Sequence, residues 1–134
     1  ADLLLSTLSF AASNKATVFV IMAVHNRKDI TEYCLSQLNS QDYIPIQTIV
    51  IDDGSNDGTS EMIRKEYPNV HLFHGDGNYW WSKSMNLGLD FVLQNAKKQD
   101  LVLTLNDDTK FDSDYIDIIV NESKKYNAIN IINA

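Results

Sequence analysis

Four short apolar runs, each followed by a polar break and a longer amphipathic stretch, constrain this chain more than any other feature. Val18-Phe19-Val20-Ile21-Met22 is apolar at every position, which marks a strand buried on both faces, since a half-exposed strand would alternate polar and apolar residues. Gln47-Thr48-Ile49-Val50-Ile51, residues 70–73 and Leu101-Val102-Leu103-Thr104-Leu105 supply three more strands. Helices are expected over residues 27–40, 60–67, 82–96 and from Asp112 or Ser113 to 126, with a fifth, edge strand at 129–132. The first helix turns Ile30, Tyr33, Cys34, Gln37 and Leu38 inward, and the third carries Met85, Leu89, Val92 and Leu93 on one face. Thr59 or Asp57 caps the second helix, Pro68 closes it, and Pro45 marks the return from the first. This order predicts an α/β fold, a mostly parallel sheet flanked by helices on both faces. In such sheets ligands bind beyond the carboxyl ends of the strands.

The 134 residues allow one compact domain, and 44% apolar with 22% charged residues is the composition of a globular chain with a real core. Residues 1–15 are read as a leader, tag or disordered segment, and residues 16–134 as the folded part. The apolar stretch at 3–12 is broken by Ser6, Thr7 and Ser9 and is too short to span a membrane. A single cysteine, Cys34, excludes an internal disulfide and a thiolate zinc cage, and it favours a reducing compartment. The expected place is the cytoplasm, extending to the inner face of the membrane for a full-length protein. Eleven basic residues against 18 acidic ones give a net charge of −7, with no basic track for a phosphate backbone, so nucleic acid is excluded as a partner.

Fourteen of the 18 acids are Asp, the short carboxylate that suits loop ends and hard-metal sites. Two Asp pairs, Asp52-Asp53 and Asp107-Asp108, each follow an apolar strand, so a parallel sheet brings both to one rim. Four carboxylates are thus expected in one cleft, where their repulsion needs an offset such as a divalent cation. Carboxylate oxygens suit Mg²⁺ or Mn²⁺, with the remaining ligands drawn from water and substrate phosphates. The plainer alternative is that strand-end Asp residues only make turns and cap helices, as Asp112 and Asp114 are expected to do. Trp80 and Trp81 are adjacent, so an extended segment aims one inward and the other at the cleft, where paired tryptophans serve as a platform or as core plugs. Lys83 opens a helix, where a positive charge is disfavoured, which suits either a diphosphate contact or a solvated lysine.

Val18-Phe19-Val20-Ile21-Met22-Ala23-Val24-His25-Asn26-Arg27, Ile49-Val50-Ile51-Asp52-Asp53-Gly54-Ser55-Asn56-Asp57-Gly58-Thr59, Asn86-Leu87-Gly88 and Leu105-Asn106-Asp107-Asp108, in that order, resemble family 2 glycosyltransferases of the GT-A fold. The resemblance runs from residue 17 to about 125, and Gly75-Asp76-Gly77-Asn78-Tyr79-Trp80-Trp81 is similar to a rhamnosyltransferase-like bacterial branch. It implies the nucleotide-sugar-binding half of that fold, Rossmann-like and incomplete. It implies inverting, metal-dependent transfer of a sugar from a nucleotide-diphosphate sugar to a saccharide or lipid-linked acceptor, in surface polysaccharide synthesis.

The resemblance also places residues. It puts Ala23, Val24, His25, Asn26 and Arg27 at the nucleotide, with His25 where an aromatic ring often stacks on the base. It gives Asp53 the base edge, while Asp52, Gly54 and Ser55 order the adjoining loop against the nucleotide. It makes one of Trp80 and Trp81 a sugar or acceptor platform, while Asn86 ties a helix to that loop and Gly88 permits close packing. Asn106-Asp107-Asp108 matches the family's metal motif with Asn in place of the first acid, leaving Asp108 as metal ligand and Asp107 as a ribose or second metal contact. The chain ends soon after that motif, so the catalytic base is expected outside it, the isolated chain is expected to be inactive, and its uncovered apolar surface is expected to self-associate. Two further readings stay open: a Mg²⁺-binding signalling domain of the receiver type, and a metal-free structural α/β domain. Against the first, receivers cluster acids on the first and third strands and place a Lys after a late one.

Overall fold

The computed structural model describes residues 15–125 and 131–133; the leader expected over 1–15, Lys15 apart, lies outside them, as do residues 126 and 129–130. In chain order the elements are β1 (Val18–Val24), α1 (Lys28–Asn39), β2 (Ile46–Asp53), α2 (Thr59–Glu66), β3 (His71–Gly75), α3 (Trp80–Asn95), β4 (Leu101–Thr104), α4 (Tyr115–Ser123) and β5 (Ile131–Asn133). The five strands form one sheet in the order β3-β2-β1-β4-β5, and every pairing is parallel. The expected α/β architecture is present, with β5 at the edge.

Burial on both faces explains the unbroken apolar runs. Val18, Val20, Met22 and Val24 of β1 pack with Cys34, Leu35, Leu38, Met62, Ile63, Ile116 and Val120, residues of α1, α2 and α4. The alternate residues Phe19 and Ile21, with Ile49 and Ile51 of β2, pack against Met85 and Val92 of α3. Each such side chain taken fully out of water stabilises the fold by about 1.5–3 kcal/mol. Gly88 lets α3 lie directly on this second layer, because a β-carbon there would fall 2.5 Å from Ile21 Cγ2.

Two helix faces differ from the sequence expectation. In α1 the buried residues are Thr31, Cys34, Leu35 and Leu38, while Ile30 and Tyr33 are exposed. The buried stripe runs through Cys34, Leu35 and Leu38, with Leu35 in place of Ile30 and Tyr33, and it carries Thr31 inward, where its hydroxyl donates to Asp107. In α3 the inward face is Ser84, Met85, Gly88 and Val92, and Leu93 is exposed. That helix also starts at Trp80, two residues earlier than the pattern suggests. For α4, neither Asp112 nor Asp114 provides a side-chain cap; instead Gln41 Oε1 accepts the Ile116 N–H and its Nε2 donates to the Asp112 carbonyl.

Candidate functional site

Strand order reverses on either side of β1: β2 and β3 lie to one side, β4 and β5 to the other. Such a switch point opens a crevice beyond the carboxyl ends of the central strands. Here it measures about 310 Å³ and is lined by Ala23, Val24, His25 and Arg27 from the end of β1, Asp53 from β2, Gly77, Trp80, Trp81 and Ser84 from α3 and its approach, and Asp107 from beyond β4.

The four strand-end carboxylates do not share this crevice. Adjacent residues of a strand face opposite sides of the sheet. Asp52, on the side of α2, is buried; it accepts the Ser60 hydroxyl and the Ser55 N–H at 3.1 Å. Asp53 faces α3. Its Oδ1 accepts N–H groups from Gly77 at 2.8 Å and Tyr79 at 3.2 Å, and its Oδ2 accepts those of Tyr79 at 3.0 Å and Trp80 at 2.9 Å. The carboxylate thereby serves the start of α3, whose own N-cap residue, Tyr79, offers no side-chain bond. Burial works against the Asp53 charge, but the backbone donors of Trp80, Tyr79 and Gly77 outweigh it and hold the carboxyl below its ordinary value. Three donors do not fill the four lone-pair sites of a carboxylate, and Asp53 also lines the crevice.

The second pair is offset by a protein cation. Arg27 Nη1 lies 3.1 Å from Asp107 Oδ1 and Nη2 lies 3.6 Å from Asp108 Oδ2. Asp107 is 4% exposed and lines the crevice, Asp108 is 59% exposed, and both line an adjoining cavity with Asp29, Ile30, Tyr33 and Lys110. Burial pushes the Asp107 carboxyl up, Arg27 and the Thr31 hydroxyl pull it back, and Asp108 pushes it up again. Cys34, behind them, is pushed up to about 12 by burial first and the two acids second, so its thiol is inert.

Three residues expected at the nucleotide join the loops that frame the crevice. The Asn26 N–H donates to Ser55 Oγ at 2.8 Å, and Asn26 Oδ1 accepts the Asn56 N–H at 2.8 Å, with Asn26 held at φ 49°. Gly54, at φ 74°, approaches Gly77 so closely that a β-carbon would stand 2.7 Å from its Cα. His25 does stand at the crevice: its Nδ1–H donates to the Asp53 carbonyl at 2.6 Å, and its Nε2 accepts from Asn26 Nδ2 at 3.3 Å. Those two bonds fix one tautomer and the ring orientation.

The remaining expectations divide. Trp80 and Trp81 both line the crevice, but from the first turn of a helix rather than an extended segment, and at 78% and 49% exposure neither is a core plug. Lys83 is turned away, its Nζ 4.1 Å from the centre of the Tyr79 ring. Asn86 and Asn106 are exposed and outside the crevice lining. Ser84 and Gly77, which no expectation placed at the site, are part of it. The signal for Ser84 was its spacing: four residues before Gly88, it falls on the buried face of α3.

The family described as "Glycosyl transferase family 2" matches residues 19–133. Glycosyltransferase GlyA of Streptococcus pneumoniae serotype 4 is 26% identical over 113 residues, 83% of this chain and 16% of that protein. Among solved structures, residues 1–349 of S. aureus TarS in complex with UDP-GlcNAc superpose with a TM-score of 0.65 at 20% identity, over 81% of this chain and 31% of that one. The mannosyltransferase PcManGT of Pyrobaculum calidifontis, in complex with GDP-Man and Mn²⁺, gives 0.60 at 22% identity, over 74% and 30%. The chain thus spans about a sixth of the curated relative and about a third of these structures. A receiver-type domain is set aside by the family match.

Proposed function

Because the chain belongs to glycosyl transferase family 2, we propose that its crevice binds a nucleotide-diphosphate sugar, from which the protein transfers the sugar to a saccharide or lipid-linked acceptor. The observation that carries this reading is one crevice at the switch point with aromatic side chains on one wall and Asp107 on the other. The exposed rings of Trp80 and Trp81 suit stacking on a planar ring, and Asp107 suits a cation-bridged diphosphate. The nucleotide sugars in the TarS and PcManGT structures support the class of ligand.

The donor set fits a divalent metal of the Mg²⁺ or Mn²⁺ kind. Asp107 and Asp108 offer hard oxygen ligands, and among the described residues no group of three or more His, Cys, Asp or Glu forms a complete cage. Two carboxylates plus substrate phosphates is how such ions are ordinarily held. The metal would supply charge stabilisation for the departing diphosphate. Arg27 pairs with both acids, Thr31 donates its hydroxyl to Asp107, and His25 presents a ring of fixed orientation at the crevice.

The rest of the reading rests on sequence likeness: inverting transfer of a hexose, in bacterial surface polysaccharide synthesis, on the cytoplasmic side of a membrane. Among the described residues no helix is long and apolar enough to cross one. Calorimetric titration of the protein with UDP, GDP and dTDP, each with and without Mn²⁺, tests the proposal. Metal-strengthened binding of at least one nucleotide is the expected result. Three flat titrations would leave a structural α/β domain as the better reading.

A further inference from the structure

Resting on that reading, one buried group in the crevice points to how the nucleobase is read. Ser84 is fully buried, and its Oγ is, among the described residues, the buried side-chain polar atom that has no hydrogen-bond partner. A helical serine ordinarily satisfies its hydroxyl on the carbonyl one turn back, and this one does not. An unpaired buried hydroxyl costs stability, so it is an unusual thing to keep on a packed helix face.

Its place in the fold gives it a use. Ser84 sits one turn before Gly88, where α3 lies against Ile21 of β1. The helix returns antiparallel to the strand, so one turn, about 5.4 Å, corresponds to about two strand residues and brings Ser84 to Ala23. Both residues line the crevice, on the wall shared with Trp80 and Trp81. Of the polar groups on this side, Asp53 accepts the N–H groups of Gly77, Tyr79 and Trp80, and His25 is bonded to the Asp53 carbonyl and to Asn26. We infer that the Ser84 hydroxyl hydrogen-bonds the ring edge of the nucleobase and is a specificity-determining residue, while Asp53 is a positioning residue that holds the wall in place. A hydroxyl both donates and accepts, so it pairs with a ring edge carrying either kind of group. Reaching it takes a small shift of the wall, for which the exposed Trp80 and Trp81 have room.

The test is Ser84→Ala, titrated on the full chain with UDP, GDP, dTDP and ADP in Mn²⁺, beside thermal melts without nucleotide. The wild-type protein is expected to prefer one nucleotide. In Ser84→Ala that nucleotide should weaken about tenfold, the scale of one lost hydrogen bond, while the others change less than about twofold. The melting temperature should hold or rise, because an unpaired hydroxyl has been removed. Equal weakening of all four, an unchanged preference, or no preference in the wild type would overturn the role of Ser84 while leaving the proposed function standing. Failure of the wild type to bind any of the four would overturn both.

Discussion

Asp53→Ala is expected to lower the stability of the chain by about 2–4 kcal/mol, because three backbone donors at the start of α3 lose their acceptor together. The three are the N–H groups of Gly77, Tyr79 and Trp80, none of which has a side-chain cap of its own to fall back on. Trp80 is held at φ 54°, a conformation that costs a non-glycine residue energy, and the Asp53 carboxylate on its N–H is part of what holds it there. The substitution should therefore also loosen the aromatic wall of the crevice. The effect has a pH signature. The folded carboxyl sits below its ordinary value, so its stabilising contribution is complete above the ordinary carboxylate range and is lost as pH falls through that range toward the folded value. Thermal melts between pH 7 and pH 3 should show the wild type losing more stability than Asp53→Ala. Parallel curves would mean that the carboxylate does not carry the start of α3.

Gly88→Leu is expected to be at least as damaging, at about 3 kcal/mol, since overpacking here cannot be relieved by a surface side chain. The first added carbon already falls 2.5 Å from Ile21 Cγ2 and 3.2 Å from Ile51 Cδ1, both on fully buried residues of the central strands. The branched remainder has to push α3 off the sheet. Gly88→Ala should cost less, because alanine gains about 1 kcal/mol of helix propensity over glycine against the same clash. Urea denaturation of the two variants measures both. A Gly88→Leu protein as stable as its parent would show that α3 does not lie on β1 at this point.

The strands were legible because a strand covered on both faces must be apolar throughout, and the parallel topology then put every strand end on one rim. What composition and spacing left open was which side of the sheet each rim residue takes. Alternation decides it. Asp52 shares the side of Val50, beneath α2, and becomes loop structure; Asp53 shares the side of Ile49 and Ile51 and meets α3. The same alternation places Ala23 beside Ser84. The α1 stripe misled because Ile30 and Tyr33 look like core, whereas the buried face is that of Cys34, Leu35 and Leu38, which also sets Thr31, a polar residue, against a buried carboxylate. The repulsion between strand-end acids follows from the sequence, but its offset within the protein is Arg27, a residue expected at the start of a helix and, by resemblance, at the nucleotide.

A crystal of the protein grown with its preferred nucleoside diphosphate and Mn²⁺ tests the central claim most directly, through the anomalous signal of the metal. The account places that signal against the carboxylates of Asp107 or Asp108, with the base ring on the wall formed by Ala23, Trp81 and Ser84. Metal and nucleotide seated instead at the opposite end of the sheet, in the cavity of about 230 Å³ among His71, Lys97 and Asp100, would contradict it.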